Sequence, residues 1–174
     1  MKLGPTTINL FAKQSQFQAD NIEKVVRLRQ VLIELHKHPF LRGKLALKGG
    51  SAINLFYMGL PRLSVDIDLN YIHHVSRDEM LKERPEVTKA VEQIAAGLGY
   101  RIQSGVDEHA LKEWHLNYPD QSGKPDRIRV EMNYVMRACA LPPKFLPPQR
   151  WEILDLVNSS FSRSRKSSAG KSRR

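Results

Sequence analysis

Two aspartates separated by one residue, Asp66 and Asp68, stand in the stretch LKGGSAINLFYMGLPRLSVDIDLNY (residues 47–71), about a short helix's length after Gly49, Gly50 and Ser51. In SVDIDLNY, Ser64, Asp66, Asp68 and Asn70 alternate with Val65, Ile67, Leu69 and Tyr71. A strand with that period of two sends both carboxylates to one face and the apolar side chains to the other. At i and i+2 their Cα atoms lie about 6–7 Å apart, near enough to hold one or two Mg²⁺ ions, because hard cations take oxygen ligands. Without a cation the two charges repel. Magnesium keeps several waters and is completed by substrate phosphates, so such a pair suits a nucleoside triphosphate (NTP).

The glycine turn supplies a place for the phosphates. Gly49 and Gly50 let the backbone come close to a ligand, and Ser51 opens a helix whose free N–H groups and positive dipole end favour an anion. A second alternation, in DRIRVEMNYVM (126–136), points Ile128, Val130 and Met132 inward and gives Arg127, Arg129, Glu131 and Asn133 the opposite face. Glu131 is the candidate third acid. Each part also has a plainer reading: an ordinary turn and cap, an exposed strand edge, and a cross-strand ion pair of Glu131 with a neighbouring arginine. It is their combination, in this order and on compatible elements, that points to a site.

The elements that must position these residues follow from periodicity. From Asp20, the residues Ile22, Val25, Val26, Leu28, Leu32 and Leu35 recur at helical spacing, with Asp20 or Asn21 as N-cap and Pro39 beyond the end; Lys24, Arg27, Arg29 and Lys37 read as a solvated face. KLALK (44–48) reads as a buried strand running into the glycine turn, and SAINLFYMG as a helix capped by Ser51 and closed by Gly59. Residues 76–98 read as a helix, with an interruption around Pro85 left open, and YRIQSGV, ALKEWHLNY and DRIRVEMNYVM as strands. The first dozen residues show no sustained period. ALPPKFLPPQ should be extended, RWEILDLV a short helix or strand, and the Ser/Arg/Lys end disordered.

The stretch 47–71 resembles the signature of the nucleotidyltransferase superfamily, a Gly-Ser turn followed some residues later by Asp-x-Asp, and is most similar to the AbiEii/AbiGii family of bacterial toxins. The shared features are Gly-Gly-Ser-Ala, Leu-Phe-Tyr, Leu-Pro-Arg, and Ser64 two residues before the first aspartate; RIRVEMNYVMR and LPP resemble the family's next strand and its sequel. The resemblance implies an α+β fold, a small mixed β-sheet flanked by helices. It implies a nucleotidyltransferase moving a nucleoside monophosphate from an NTP to an acceptor, with tRNA as the RNA acceptor, Mg²⁺ or Mn²⁺ as cofactor and an antitoxin as partner in a type IV (abortive infection) system. Carried over, Asp66 and Asp68 bind the metal, Asp66, Asp68 and Glu131 form the catalytic set, and Lys48, Gly49, Gly50, Ser51 and Ser64 bind the nucleotide.

Family members continue into a helical part with a Lys-containing helix and an Arg-Asp-x-x-Asp segment. Here the chain runs instead into Ser, Arg and Lys. The expectation is a domain over 1–158, incomplete at its C-terminus through truncation or a frameshift, and a basic tail over 159–174. The alternative to an active enzyme is a remnant that binds NTP or RNA without transfer.

Composition sets the outer limits. A chain of 174 residues can bury one substantial core. The net charge is +10, but six Lys or Arg and no acid lie between Phe161 and Arg174, which leaves only +4 for the rest. A lone cysteine, Cys139, forms no internal disulfide and reads as inert, and neither a signal peptide nor a membrane span is visible, so a cytoplasmic protein is expected. His73 and His74 read as a solvated strand end, and His36 and His38 do not have zinc-ligand spacing.

Overall fold

The computed structural model describes residues 5–15, 17–50, 52 and 66–137. The helical period after Asp20 forms α2 (Ala19–Lys37), preceded by α1 (Pro5–Ser15). Ile22, Val25, Leu28, Val31, Leu32 and Leu35 of α2 are buried, while Val26 is only partly so. The N-cap is Gln18 rather than Asp20 or Asn21, and it makes no side-chain cap. Nor is the basic face of α2 merely wet. Lys24 lies 2.8 Å from Asp126, and Arg27 lies over the Tyr118 ring at 4.1 Å and binds Glu23, so two of its cations fasten the helix to the sheet.

Among the described residues the strands are β1 (Leu45–Lys48), β2 (Ile67–Tyr71), β3 (Arg101–Glu108), β4 (Leu111–Pro119) and β5 (Pro125–Asn133), with α3 (Arg77–Gly97) between β2 and β3. They form one mixed sheet in the order β1-β2-β5-β4-β3, in which only the β2–β5 pair is parallel. Among the described residues β1 is an edge strand, half-buried along its length, with a neighbouring strand on one side only; this corrects the expected buried strand.

One sheet face is core. Ile67, Leu69, Tyr71, Trp114, Leu116, Ile128, Val130 and Met132 all point to it and meet the apolar sides of α2 and α3. Fully burying such side chains contributes about 1.5–3 kcal/mol each, which is why the period of two in β2 and β5 is the dominant local signal.

α3 opens on a capping box: Ser76 accepts from the Glu79 amide, and the Glu79 carboxylate accepts from the Ser76 amide. It runs unbroken through Pro85, which settles the interruption the sequence left open there. A proline inside a helix costs about 3 kcal/mol, and packing on both sides of it outweighs that cost: Met80 before, and Val87, Ala90, Val91 and Ala95 after, are buried. Beside Pro85, Glu83 accepts from Lys44 (2.8 Å) and Tyr71 and lies 3.1 Å from His73 Nδ1. His73 is therefore part of a bonded cluster instead of a solvated strand end. Burial works against the charge on Glu83, yet the bonds from Lys44, Tyr71 and His73 hold its carboxyl down to about 2.

The proline-rich stretch, RWEILDLV, Cys139 and the basic end lie outside the described residues. Among the described residues no helix is long and apolar enough to cross a membrane.

Candidate active site

Strand register carries the polar residues into a row. Lys48 of β1 pairs with Asp68 of β2, Asp68 with Glu131 of β5, and Glu131 with Glu113 of β4. All lie on the face opposite the core, as the alternation in β2 and β5 requires. On the next rung Arg129 pairs with His115, and Asp66 stands one residue before β2.

The side chains converge on the guanidinium of Arg129. One terminal nitrogen lies 3.3 Å from Asp66 Oδ2 and 3.8 Å from Asp68 Oδ1. The other lies 3.5 Å from Glu131 Oε2 and 3.7 Å from Glu113 Oε2. Lys48 Nζ reaches Glu131 Oε1 at 3.4 Å, and His115 Nε2 lies 2.9 Å from Glu113 Oε1. Burial pushes the Asp68 carboxyl above its usual range; the charges of Glu131 and Asp66 add to this, against the opposing pull of Arg129 and Lys48. The row thus holds more negative charge than its own cations neutralise at Asp68.

The glycine turn closes on the same carboxylate. Gly49 has φ 72°, a left-handed conformation that side chains with a Cβ rarely adopt, and a Cβ placed there would lie 2.5 Å from Asp68 Oδ2. Only glycine lets the turn pass this close to the acid. Gly50 is exposed beside it, and of the helix expected over residues 51–59 only Ala52 lies among the described residues, where it is helical. Ser51 and Ser64 lie outside the described residues.

Of the residues singled out from the sequence, Asp66, Asp68, Glu131, Lys48 and Gly49 are thus brought together. Glu113 was missed, although Glu113, His115 and Asn117 share one face of β4. The central place of Arg129 was missed as well. Carboxylate oxygens from neighbouring strands, with Asp68 crowded by like charge, are the donor chemistry a hard divalent cation takes. Even so, among the described residues no three His, Cys, Asp or Glu side chains close up tightly enough to hold a metal ion. The guanidinium stands between them.

No curated protein matches the chain. Among solved structures, JHP933 from Helicobacter pylori is 17% identical with a TM-score of 0.48, covering 72% of this chain and 48% of that one. MenT4, a nucleotidyltransferase toxin from Mycobacterium tuberculosis H37Rv, is 18% identical with a TM-score of 0.46, covering 84% of this chain and 51% of that one. The chain therefore spans about half the length of these structures. The family model described as "Nucleotidyl transferase AbiEii toxin, Type IV TA system" matches residues 31–153, which includes the glycine turn, the aspartates and every strand of the sheet. The chain belongs to the AbiEii nucleotidyl transferase toxin family.

Proposed function

We propose that this protein is a metal-dependent nucleotidyltransferase that moves a nucleoside monophosphate from an NTP to an acceptor hydroxyl and releases pyrophosphate. The acceptor is RNA, at the 3′ end of tRNA, and the setting is a type IV toxin held in check by a cognate antitoxin. The observation that most supports this reading is the packing of Gly49 against Asp68. A turn suited to phosphate oxygens and a carboxylate suited to a cation are in contact, as a bound NTP requires of them.

In this reading the turn amides at Gly49, Gly50 and Ser51 hold the triphosphate, and Lys48 and Ser64 also bind the nucleotide. Asp66 and Asp68 hold Mg²⁺ or Mn²⁺, which when bound neutralises phosphate charge. The acceptor oxygen bonds to the α-phosphorus as the bond from that phosphorus to the bridging oxygen breaks, and pyrophosphate leaves with the bonding pair. Glu131 or Asp68 takes the acceptor's proton. Most of the acceleration comes from alignment and charge stabilisation.

The test is incubation of the protein with labelled NTPs, Mg²⁺ and total tRNA, comparing wild type with Asp66→Ala. Label transferred by the wild type and lost in the variant upholds the proposal. NTP binding with no transfer by the wild type would instead identify a binding remnant.

A further inference from the structure

We propose that Arg129 is the resident counter-ion of the carboxylate row, and that a divalent cation gains the site only in competition with its guanidinium. The inference rests on the metal-dependent reading above and deepens it. Its basis is placement: the guanidinium touches Asp66, Asp68, Glu113 and Glu131, two on each terminal nitrogen. These are the oxygens on which a metal ion would have to draw.

The contact geometry separates a shared cation from a locked one. The four distances, 3.3–3.8 Å, are longer than the roughly 2.7–2.9 Å of a charge-assisted hydrogen bond, so no single acid grips the guanidinium in a closed fork. Its side chain is 38% exposed, so water already reaches it and a route of retreat is open. Arg84 is the contrast within the same molecule. It binds Asp107 at 2.8 Å and the backbone carbonyls of Glu108 and His109, and is 16% exposed. Arg84 is built as a rivet, Arg129 as a loosely held charge shared among four acids.

Two consequences follow. The sheet can fold without metal, because the crowded acids are never without a cation. The cost is affinity: an incoming ion must displace a positive charge already present, so the wild-type site takes metal less tightly than its carboxylates alone would.

The experiment is Mn²⁺ titration of the full chain followed by electron paramagnetic resonance, which reads bound against free ion independently of any transfer reaction. Arg129→Met and Arg129→Gln should each tighten Mn²⁺ binding by at least about tenfold, the effect of one unit charge a few ångströms away at partial exposure. Arg129→Lys keeps the charge and should change it by less than about threefold. Without divalent cations the neutral variants should melt below wild type, and saturating Mn²⁺ should restore them; a neutral variant that folds only with Mn²⁺ present supports the proposal equally. It is overturned if the neutral variants bind Mn²⁺ no more tightly than wild type while Asp66→Ala abolishes binding, a result that leaves the metal reading intact. It is also overturned if they stay unfolded in saturating Mn²⁺. Absence of binding by wild type and neutral variants alike overturns the metal reading itself, and this inference with it.

Discussion

At the scale of single residues, the site depends on a missing Cβ. Gly49 and Gly43 both have positive φ, 72° and 78°, but a Cβ on Gly43 would meet nothing within 4 Å whereas one on Gly49 would strike Asp68. Each Gly→Ala variant should therefore lose about 1–2 kcal/mol of stability from the left-handed backbone, measurable by urea unfolding. Only Gly49→Ala should also abolish Mn²⁺ binding and transfer, because it alone displaces the carboxylate. Asp68 carries a second prediction. Its carboxyl titrates above the usual range because burial, Glu131 and Asp66 disfavour its charge. The native state thus keeps a proton that the unfolded state has released, and the stability this group provides below about pH 4 is lost as pH rises through its native value. In metal-free buffer at pH 7, Asp68→Asn should melt above wild type while losing transfer, and the difference should vanish by about pH 4. A wild-type melting temperature at or above that of the variant at pH 7 would contradict this account.

At the scale of elements, α3 is held to the end of β2 and to the residue before β1 through Glu83, which gathers bonds from Lys44, Tyr71 and His73. Its native carboxyl, near 2, lies below the unfolded value of about 4.3. The bonds therefore stabilise the fold above that value, and the contribution is lost as pH falls towards 2. Glu83→Gln should cost about 1.5–3 kcal/mol at pH 7, with the gap to wild type closing between about pH 4.3 and 2 when unfolding is followed by circular dichroism. This anchor was not legible in the sequence, since it joins residues far apart in the chain through a fold not yet known. What was legible had period and burial on its side: β2, β5 and the inner face of α2 follow from alternation or from helical spacing alone. α1 was not, because it buries Ile8 in a small cluster with Ile22 and leaves Leu10 exposed, so it has no apolar stripe to read. Glu113 was hidden by its neighbour. Lys112 takes a core-face position on β4, buried and bonded to Ser104 and Asp107, which breaks the apolar alternation that would have marked Glu113 as a partner of Glu131. Periodicity could assign each acid a face. Only the strand order β2-β5-β4, which departs from chain order, puts the acids in one row.

At the scale of the whole molecule, charge is divided between two tasks. The polar face of the sheet gathers Asp66, Asp68, Glu113 and Glu131 around a single arginine, an arrangement that attracts cations and repels a bare polyanion. The positive surplus lies largely elsewhere, with six of the ten net charges between Phe161 and Arg174. If the acceptor is RNA, attraction and chemistry are thus assigned to different parts of the chain: the basic end raises the local concentration of phosphate backbone, and the carboxylate row acts on one terminal hydroxyl. Truncation after Ser160 separates the two. Each phosphate contact on single-stranded nucleic acid contributes about 0.7 to the slope of log affinity against log salt, so removing six cations should flatten that slope by up to about 4, read from tRNA anisotropy across a salt series. Asp66→Ala should leave the slope unchanged while abolishing transfer. Because binding lost from a remote segment is common to ground state and transition state, truncation should raise KM for tRNA and leave kcat in place. An unchanged slope after truncation would instead assign the grip on RNA to the cations of the sheet and helices.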